Sequence, residues 1–223
     1  MTIVPNAMAT TVSCRYLDLA KADDFEQAVE VMTKSFSRMP TWSRFYLGTD
    51  WRRARAKVIY YLQSTSEVGE IWATERWDGP KRVIESVIAF VPPGKAFQQA
   101  PSATVTRDAF IRTLGVETVS PAPETVMFTS PSYSSNKVMN DSWMITLIGT
   151  VPEAGGRGLA TKLISLVLDR AKIEDTGVCV PTTYKPRMKY YEKLGFELLE
   201  IKAGSNDLGD GAIEFMMYCP LKK

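Results

Sequence analysis

The chain has 223 residues, of which 45% are hydrophobic and 23% charged. This composition is typical of a folded globular protein and excludes a disordered or fibrous chain. A chain of this length can bury a large core without disulfides or metal ions, so we expect one domain. The 27 basic and 25 acidic residues leave a formal net charge of +2, which gives no global electrostatic reason to expect nucleic acid or a membrane surface as a partner.

The absence of histidine restricts the possible chemistry. It excludes Ser–His–Asp triads, Cys–His pairs and the His-based zinc helix of metalloproteases. Acid–base catalysis must therefore use tyrosine, carboxylates, lysine, cysteine or water. The cysteines Cys14, Cys179 and Cys219 lie far apart and form no Cys-x-x-Cys pair, which argues against a zinc site and a disulfide framework. We expect no metal cofactor.

The N-terminal segment lacks the basic and apolar regions of a signal peptide. The most apolar run, Trp143 to Val151, is far too short to cross a bilayer. We therefore expect a soluble protein located in the cytoplasm. Residues 1–12 are expected to be a flexible tail, followed by one domain over 13–223.

The first half of the chain predicts a strand, two helices and a hairpin. Apolar residues at helical spacing predict the helices, and Asp78-Gly79-Pro80 is strong turn chemistry between two β-rich runs. The predicted strands are 14–19, 70–77 and 82–91, and the helices begin near residues 23 and 51. The Pro- and Ser-rich stretch 94–141, with one helix near 105–114, is longer than an ordinary connection and is predicted to be an insertion or lid.

The second half predicts strands interleaved with helices. The run 143–151 is apolar throughout, as expected of a buried central strand. A glycine-rich turn, a helix from about residue 160, strands at 178–182, 196–201 and 212–219, and a short helix at 186–193 follow. This order predicts a mixed α+β domain with a twisted mixed sheet flanked by helices.

The turn Gly155-Gly156-Arg157-Gly158 stands between a strand and a helix. That order makes a phosphate cradle, because glycines let backbone N–H groups converge and the helix N-terminus adds partial positive charge. A Walker loop would continue as Gly-Lys-Ser/Thr, whereas Thr161-Lys162-Leu163 follows here. A dinucleotide fingerprint would need an acidic residue closing the next strand, and 178–183 has none.

Residues 151–160 resemble the acetyl-CoA pyrophosphate loop of the GNAT (Gcn5-related) N-acetyltransferase superfamily, whose pattern is Gln/Arg-x-x-Gly-x-Gly/Ala. Gly158 and Ala160 keep the two small positions, and Gly155 replaces the opening Gln/Arg. A second segment, Tyr-Tyr-Glu-Lys-Leu-Gly-Phe at 190–196, is similar to the family's Tyr-Glu-Lys-Leu-Gly-Phe motif. The two segments together are far more specific than either alone.

Within the superfamily, residues 143–149 and 183–196 look most like puromycin-type and other small-molecule acetyltransferases. Two positions depart from the family. Its Asn on the helix after strand five is replaced near Arg187, and Pro181 stands where an acidic residue is sometimes found.

The resemblance implies the GNAT acyl-CoA N-acyltransferase fold, in which two central strands splay apart around the cosubstrate acetyl-CoA. It implies that Tyr191 is the general acid and that the amide of Gly149 or Thr150 contacts an oxyanion. Arg157 and Lys162 would be available to the phosphates. The full set implied to bind the cosubstrate is Ile148, Gly149, Thr150, Gly155, Gly156, Arg157, Gly158, Leu159, Ala160 and Arg187.

The general base and the acceptor pocket carry no motif. Without histidine, the candidates for the base are Glu85, Glu124, Asp141 or a water chain. Glu85 is the residue named as catalytic; it stands within an apolar hairpin strand, where it either faces the cleft or marks the solvent side. Phe128, Tyr133 and Trp143 are aromatic candidates for lining an acceptor pocket, with a place in the core as the alternative.

The implied activity is direct transfer of acetyl from acetyl-CoA to a primary amine of a small molecule, such as a xenobiotic, an antibiotic or a metabolite. Two alternatives stay open: acetylation of a protein or peptide amine, and a non-catalytic CoA-binding regulatory module. The expected partners are a small-molecule amine and, for a homodimer, a second copy of the chain. A monomer is equally compatible with the sequence.

Overall fold

The computed structural model describes residues 12–37, 39, 50–113, 136–203 and 213–220. They form a seven-stranded sheet in the order β1-β2-β3-β4-β5-β7-β6. The strands are β1 (Ser13–Tyr16), β2 (Glu70–Asp78), β3 (Lys81–Val91), β4 (Trp143–Thr150), β5 (Val178–Thr182), β6 (Glu197–Ala203) and β7 (Ile213–Cys219). The helices are α1 (Ala22–Ser37), α2 (Trp51–Val68), α3 (Ala103–Thr113), α4 (Lys137–Asn140), α5 (Leu159–Ile173) and α6 (Met188–Glu192).

Strands β1 to β4 pair antiparallel in chain order, and β7 pairs antiparallel with both β5 and β6. The two groups meet at β4 and β5, which are parallel. Parallel neighbours need a crossover connection, and here it contains α5. The predicted mixed α+β fold is therefore confirmed.

Two hydrophobic cores cover the two faces of the sheet. One contains buried residues of α1, α2 and α3 together with Val87 and Leu147 of the sheet. The other contains buried residues of α5 and β5 together with Tyr191 and Phe196. Both cores touch β4, because neighbouring residues on a strand point to opposite faces.

The predicted insertion 94–141 is described in part. Phe97 stacks against Tyr60 and Tyr61 of α2, with ring centroids 5.6 and 4.6 Å apart, and Phe110 of α3 is fully buried beneath Lys57. This part of the insertion therefore belongs to the first core. Residues 114–135, with the predicted candidates Glu124, Phe128 and Tyr133, lie outside the described residues, as do 1–11 of the predicted tail.

Two segments differ from the sequence predictions. The predicted short helix 186–193 is a 3-10 turn over Lys185–Arg187 that continues into α6. A further 3-10 turn, Pro152–Ala154, precedes the glycine-rich turn. Pro152 and Pro186 sit at first or second helical positions, where the missing N–H costs no hydrogen bond. Within the described ranges, no helix is long and apolar enough to cross a membrane.

A buried charge network joins β1, α1, β2 and β3. Asp24 is 1% exposed, and its carboxylate accepts hydrogen bonds from Arg15 at 2.6 and 2.8 Å and from Arg82 at 3.0 Å. The same two guanidinium groups approach Glu75. The hydrogen bonds from Arg15 lower the pKa of Asp24 despite its burial. This network fixes the outer strands on α1.

Replacing Asp24 with Asn should lower the free energy of unfolding by about 2 to 3 kcal/mol at pH 7, because it removes one of the two buried carboxylates that the guanidinium groups of Arg15 and Arg82 share. Urea denaturation measures this loss. Because the pKa is lower in the folded state, the carboxylate stabilises the protein above the normal aspartate pKa and stops doing so as the pH falls through its folded value. The difference in stability between wild type and D24N should therefore shrink below about pH 4.

The matched control is Asp23→Asn on the exposed side of the same turn, which should change stability by less than about 0.5 kcal/mol. Equal losses in the two variants would contradict this account.

Candidate functional site

Strands β4 and β5 separate soon after they meet. Their pairing is limited to Trp143 with Val178 and Met144 with Cys179, although β4 continues to Thr150 and β5 to Thr182. A β-bulge coincides with the separation, since the β3–β4 register shifts between Ala89 and Phe90 and leaves an extra residue in β4. Bulges bend a strand and increase its twist. The bent β4 and the straight β5 thus form the two walls of a gap.

This gap is an open cleft with a volume of about 410 Å³, including the part open to solvent. It is lined from both faces of the sheet, by α1 on one side and α6 on the other. The lining residues are Phe36, Met39, Ile145, Thr146, Leu147, Ile148, Val180, Pro181, Thr182, Thr183, Arg187 and Tyr191. Among these described residues, Arg187 alone carries a charged side chain.

The hydrogen-bond register shows which backbone groups of β4 face the cleft. Val151 donates its N–H to the carbonyl of Glu85 on β3 at 2.9 Å. Backbone groups alternate along a strand, so the amide of Gly149 also points to β3, where Gly149 pairs with Val87. The amides of Ile148 and Thr150 point the other way, into the gap. Of the two amides predicted to contact an oxyanion, that of Thr150 faces the cleft.

The opposite wall, formed by β5, differs from β4 in the backbone donors that it presents to the gap. Trp143 donates to the carbonyl of Gly177 at 2.9 Å, so the backbone of every second residue after Gly177, including Pro181, is turned toward β4. Proline has no N–H. Beyond the point where the strands separate, β4 therefore supplies backbone donors to the gap and β5, through Thr182, supplies none.

The glycine-rich turn leads from the end of β4 into α5. Gly156 and Gly158 have φ of 76° and 75°, and Gly158 is the N-cap of the helix without a side-chain cap. The first helical bond runs from the N–H of Lys162 to the carbonyl of Gly158, at 3.0 Å. The N–H groups of the first turn, Leu159 to Thr161, have no intrahelical acceptor. They combine with the helix dipole to form an anion-binding end.

Two basic side chains near this turn have different partners. Arg157 donates from Nη1 to Glu85 Oε1 at 2.9 Å. Lys162 donates to the carbonyl of Val12, just before β1. Of the two cations predicted to be available to phosphates, Arg157 lies in the turn itself, and Lys162 is directed toward β1.

Tyr191, the predicted general acid, lines the cleft from α6 and is 2% exposed. It packs against Phe196 and Tyr190, with ring centroids 5.7 and 5.4 Å away. Burial raises the pKa of Tyr191 to about 12, and the positive charge of Arg187 partly offsets this. The phenol is therefore protonated at neutral pH. Tyr190 is turned toward α5, where its hydroxyl lies 3.1 Å from that of Thr161.

The other predicted residues lie apart from the cleft. Asp141 is exposed at the end of α4. Trp143 is buried in the second core, where its indole N–H donates to Glu174 at 2.9 Å. Cys179 is fully buried, and burial raises the pKa of its thiol to about 12, as expected of a structural residue. Glu85 binds two arginines and does not appear in the cleft lining.

Several cleft residues carry no sequence signal. Phe36 and Met39 line the gap from the end of α1, more than 100 positions before β4, and their apolar spacing matches an ordinary core face. Thr146 is the extra residue of the β4 bulge, and its hydroxyl bonds Thr65 of α2 at 3.1 Å. A bulge in an apolar strand leaves no mark in the pattern of residue types.

Several solved structures with this fold are named as acetyltransferases. A Corynebacterium glutamicum protein described as histone acetyltransferase HPA2 and related acetyltransferase matches with a TM-score of 0.61 and 19% identity, over 97% of this chain and 98% of that chain. A mosquito arylalkylamine N-acetyltransferase like 5b matches with a TM-score of 0.55 and 14% identity, over 95% and 100%. The ribosomal-protein-S18-alanine N-acetyltransferase of Escherichia coli matches with a TM-score of 0.53 and 12% identity, over 96% of both chains. No protein-family model matches the sequence, and no curated protein is significantly similar to it.

These likenesses establish the fold, which is the one implied by the two sequence motifs. The splayed central strands and the glycine turn at the start of α5 occur here in one molecule. The fold of the described residues is thus the GNAT acyltransferase fold.

Replacing Gly158 with Ala should weaken binding of coenzyme A by roughly tenfold, because a residue with a Cβ resists the positive φ that directs the first-turn amides, and each hydrogen bond to a charged group is worth about 1.5 kcal/mol or more. Calorimetric titration measures the affinity. No atom lies within 4 Å of the added Cβ, so the stability cost should be only the backbone strain, about 1 to 2 kcal/mol.

Gly79 provides the matched control. It has a φ of 60° in the hairpin turn and equally open space around an added Cβ. Gly79→Ala should lose a similar amount of stability and keep its affinity for coenzyme A. Unchanged affinity in G158A would show that the turn does not bind the diphosphate.

Proposed function

We propose that this protein is an acetyl-CoA-dependent N-acetyltransferase that acts on a primary amine. The observation that carries the proposal is the arrangement around one cleft: splayed β4 and β5, an uncapped helix N-terminus beyond the end of β4, and a buried tyrosine that lines the cleft from α6. Its fold is shared with named N-acetyltransferases.

The described residues fit acetyl-CoA at two places. The first-turn amides of α5 are free of intrahelical acceptors and suit a diphosphate. The amides of Ile148 and Thr150 face the gap without a strand partner, and they suit the amide groups of a pantetheine arm. Bound acetyl-CoA would supply an acetyl group activated as a thioester.

Tyr191 is the proposed general acid. Its burial keeps a proton on Oη at neutral pH, and that proton can be donated to a departing thiolate. Its ring is held by aromatic packing on two sides, which fixes the direction of the hydroxyl. The general base stays a prediction from the sequence, with Glu85, Glu124, Asp141 or a water chain as the candidates.

We propose a small-molecule amine as acceptor. This choice is supported by one of the similar structures, which is named an arylalkylamine N-acetyltransferase. A protein amine is the second candidate, since other similar structures are named as histone and ribosomal-protein acetyltransferases. A thiol-release assay with acetyl-CoA against small amines and N-terminal and lysine peptides separates the two candidates. Tight binding of coenzyme A without thiol release on any acceptor would instead identify a non-catalytic module.

Replacing Tyr191 with Phe should lower kcat by about 100-fold, because proton donation to the leaving group is lost. The dissociation constant for coenzyme A should stay within about twofold, since the ring and its packing are kept. Steady-state kinetics and calorimetric titration measure the two quantities.

The matched control is Tyr190→Phe in the next position of the same helix. Its hydroxyl bonds Thr161 and is not part of the cleft lining, so kcat should change by less than about threefold. Equal kcat in Y191F and wild type would remove Tyr191 from the acid role.

A further inference from the structure

Glu85 lies between the hairpin and the glycine-rich turn. Its side chain is buried, with 7% exposed. One carboxylate oxygen, Oε1, accepts from Arg157 Nη1 at 2.9 Å and from Arg76 Nε at 2.7 Å. The other oxygen, Oε2, is buried and has no hydrogen-bond partner among the described residues. A buried carboxylate is costly unless it is paired and hydrogen-bonded, and here the two arginines satisfy one of its two oxygens.

The backbone around Glu85 explains its position. Thr74 pairs with Ser86 and Glu75 pairs with Ile84, so Glu85 is the extra residue of a bulge in β3. A bulge redirects the side chain of the extra residue. The carbonyl of the same residue accepts the N–H of Val151 at 2.9 Å.

Glu85 therefore holds the turn at both of its ends. Its backbone binds Val151, the first residue after β4, and its carboxylate binds Arg157, which precedes the helix N-cap Gly158. Between these two attachments lie the 3-10 turn Pro152–Ala154 and Gly156, whose φ is positive. The two bonds to Glu85 add to the backbone hydrogen bonds of the 3-10 turn and tie the segment to β3.

The guanidinium of Arg157 keeps some of its N–H donors available while Glu85 binds it. The guanidinium has five N–H donors, and Glu85 accepts one, from Nη1. The side chain is 41% exposed, and Glu85 is its one ion-pair partner within the described ranges. A guanidinium held from one side beside the first turn of α5 can offer its remaining donors to an anion there.

We propose that Glu85 is a positioning residue for the cosubstrate: it orients Arg157 toward the diphosphate of coenzyme A, and its effect on the reaction passes through binding. This inference rests on the proposed function. It competes with the base role predicted for Glu85, because a base would have to reach the acceptor amine, and Glu85 is not among the residues that line the cleft.

A double-mutant cycle tests the proposal with coenzyme A as the probe. Glu85→Gln should weaken binding by roughly threefold to tenfold and Arg157→Gln by roughly tenfold, as expected for charge-assisted hydrogen bonds. The double variant should bind like R157Q, within about twofold, because Glu85 has no effect once Arg157 is absent. Losses that simply add would overturn the proposal.

Kinetics distinguish positioning from base catalysis. At saturating acetyl-CoA, E85Q should keep kcat within about twofold and an unchanged pH profile, with the loss confined to KM for acetyl-CoA. A loss of kcat of about 100-fold, together with loss of the limb of the pH–rate profile that reports the pKa of the base, would assign the base role to Glu85. That result would overturn the proposal.

Two further observations keep the test decisive. If E85Q does not fold, Glu85→Asp retains the charge with a shorter reach, and it should show the same loss of affinity for coenzyme A with normal kcat. Full affinity in E85D would contradict the proposal. Absence of any binding by the wild-type protein would instead be a failure of the proposed function, which a calorimetric titration of wild type establishes first.

Discussion

The site depends on one constraint, the early separation of two parallel strands. After two paired residues on each side, β4 bends at its bulge and β5 continues on β7. Backbone groups that would otherwise satisfy each other across the sheet then face a gap, where they need a hydrogen-bond partner from water or a ligand. Pro181 removes the N–H that β5 would have shown there, so the donors of the gap come from β4. The gap therefore has backbone donors on its β4 side only, before any ligand enters it.

The proposed anion-binding end and the proposed acid come from two different connections of the sheet, and both lie on the face of the second core. The crossover from β4 to β5 must pass through α5, and its N-terminus lies just beyond the end of β4. The connection from β5 to β6 contains α6, whose Tyr191 lines the cleft from the second core. A buried phenol with a raised pKa is a suitable proton donor at neutral pH and a poor base. In the proposed function, phosphate binding and proton donation are thus assigned to two different helices.

Sequence reasoning located the elements whose signals are local. The apolar run of β4, the glycines before α5 and the tyrosine motif of α6 were each predicted within a few residues, and together they predicted the fold. The missing features depend on contacts between distant positions. Glu85 and Arg157 are 72 positions apart, and no spacing rule connects them. The bulge at Thr146 and the cleft face of Phe36 are set by packing, which the pattern of residue types does not encode.

A crystal structure with coenzyme A tests the central claim most directly, because it reports what fills the space between β4 and β5. We expect the diphosphate at the first-turn amides of α5 and the thiol in the gap, beside the hydroxyl of Tyr191. Coenzyme A bound at another surface, or a gap closed by continued pairing of the two strands, would contradict the account.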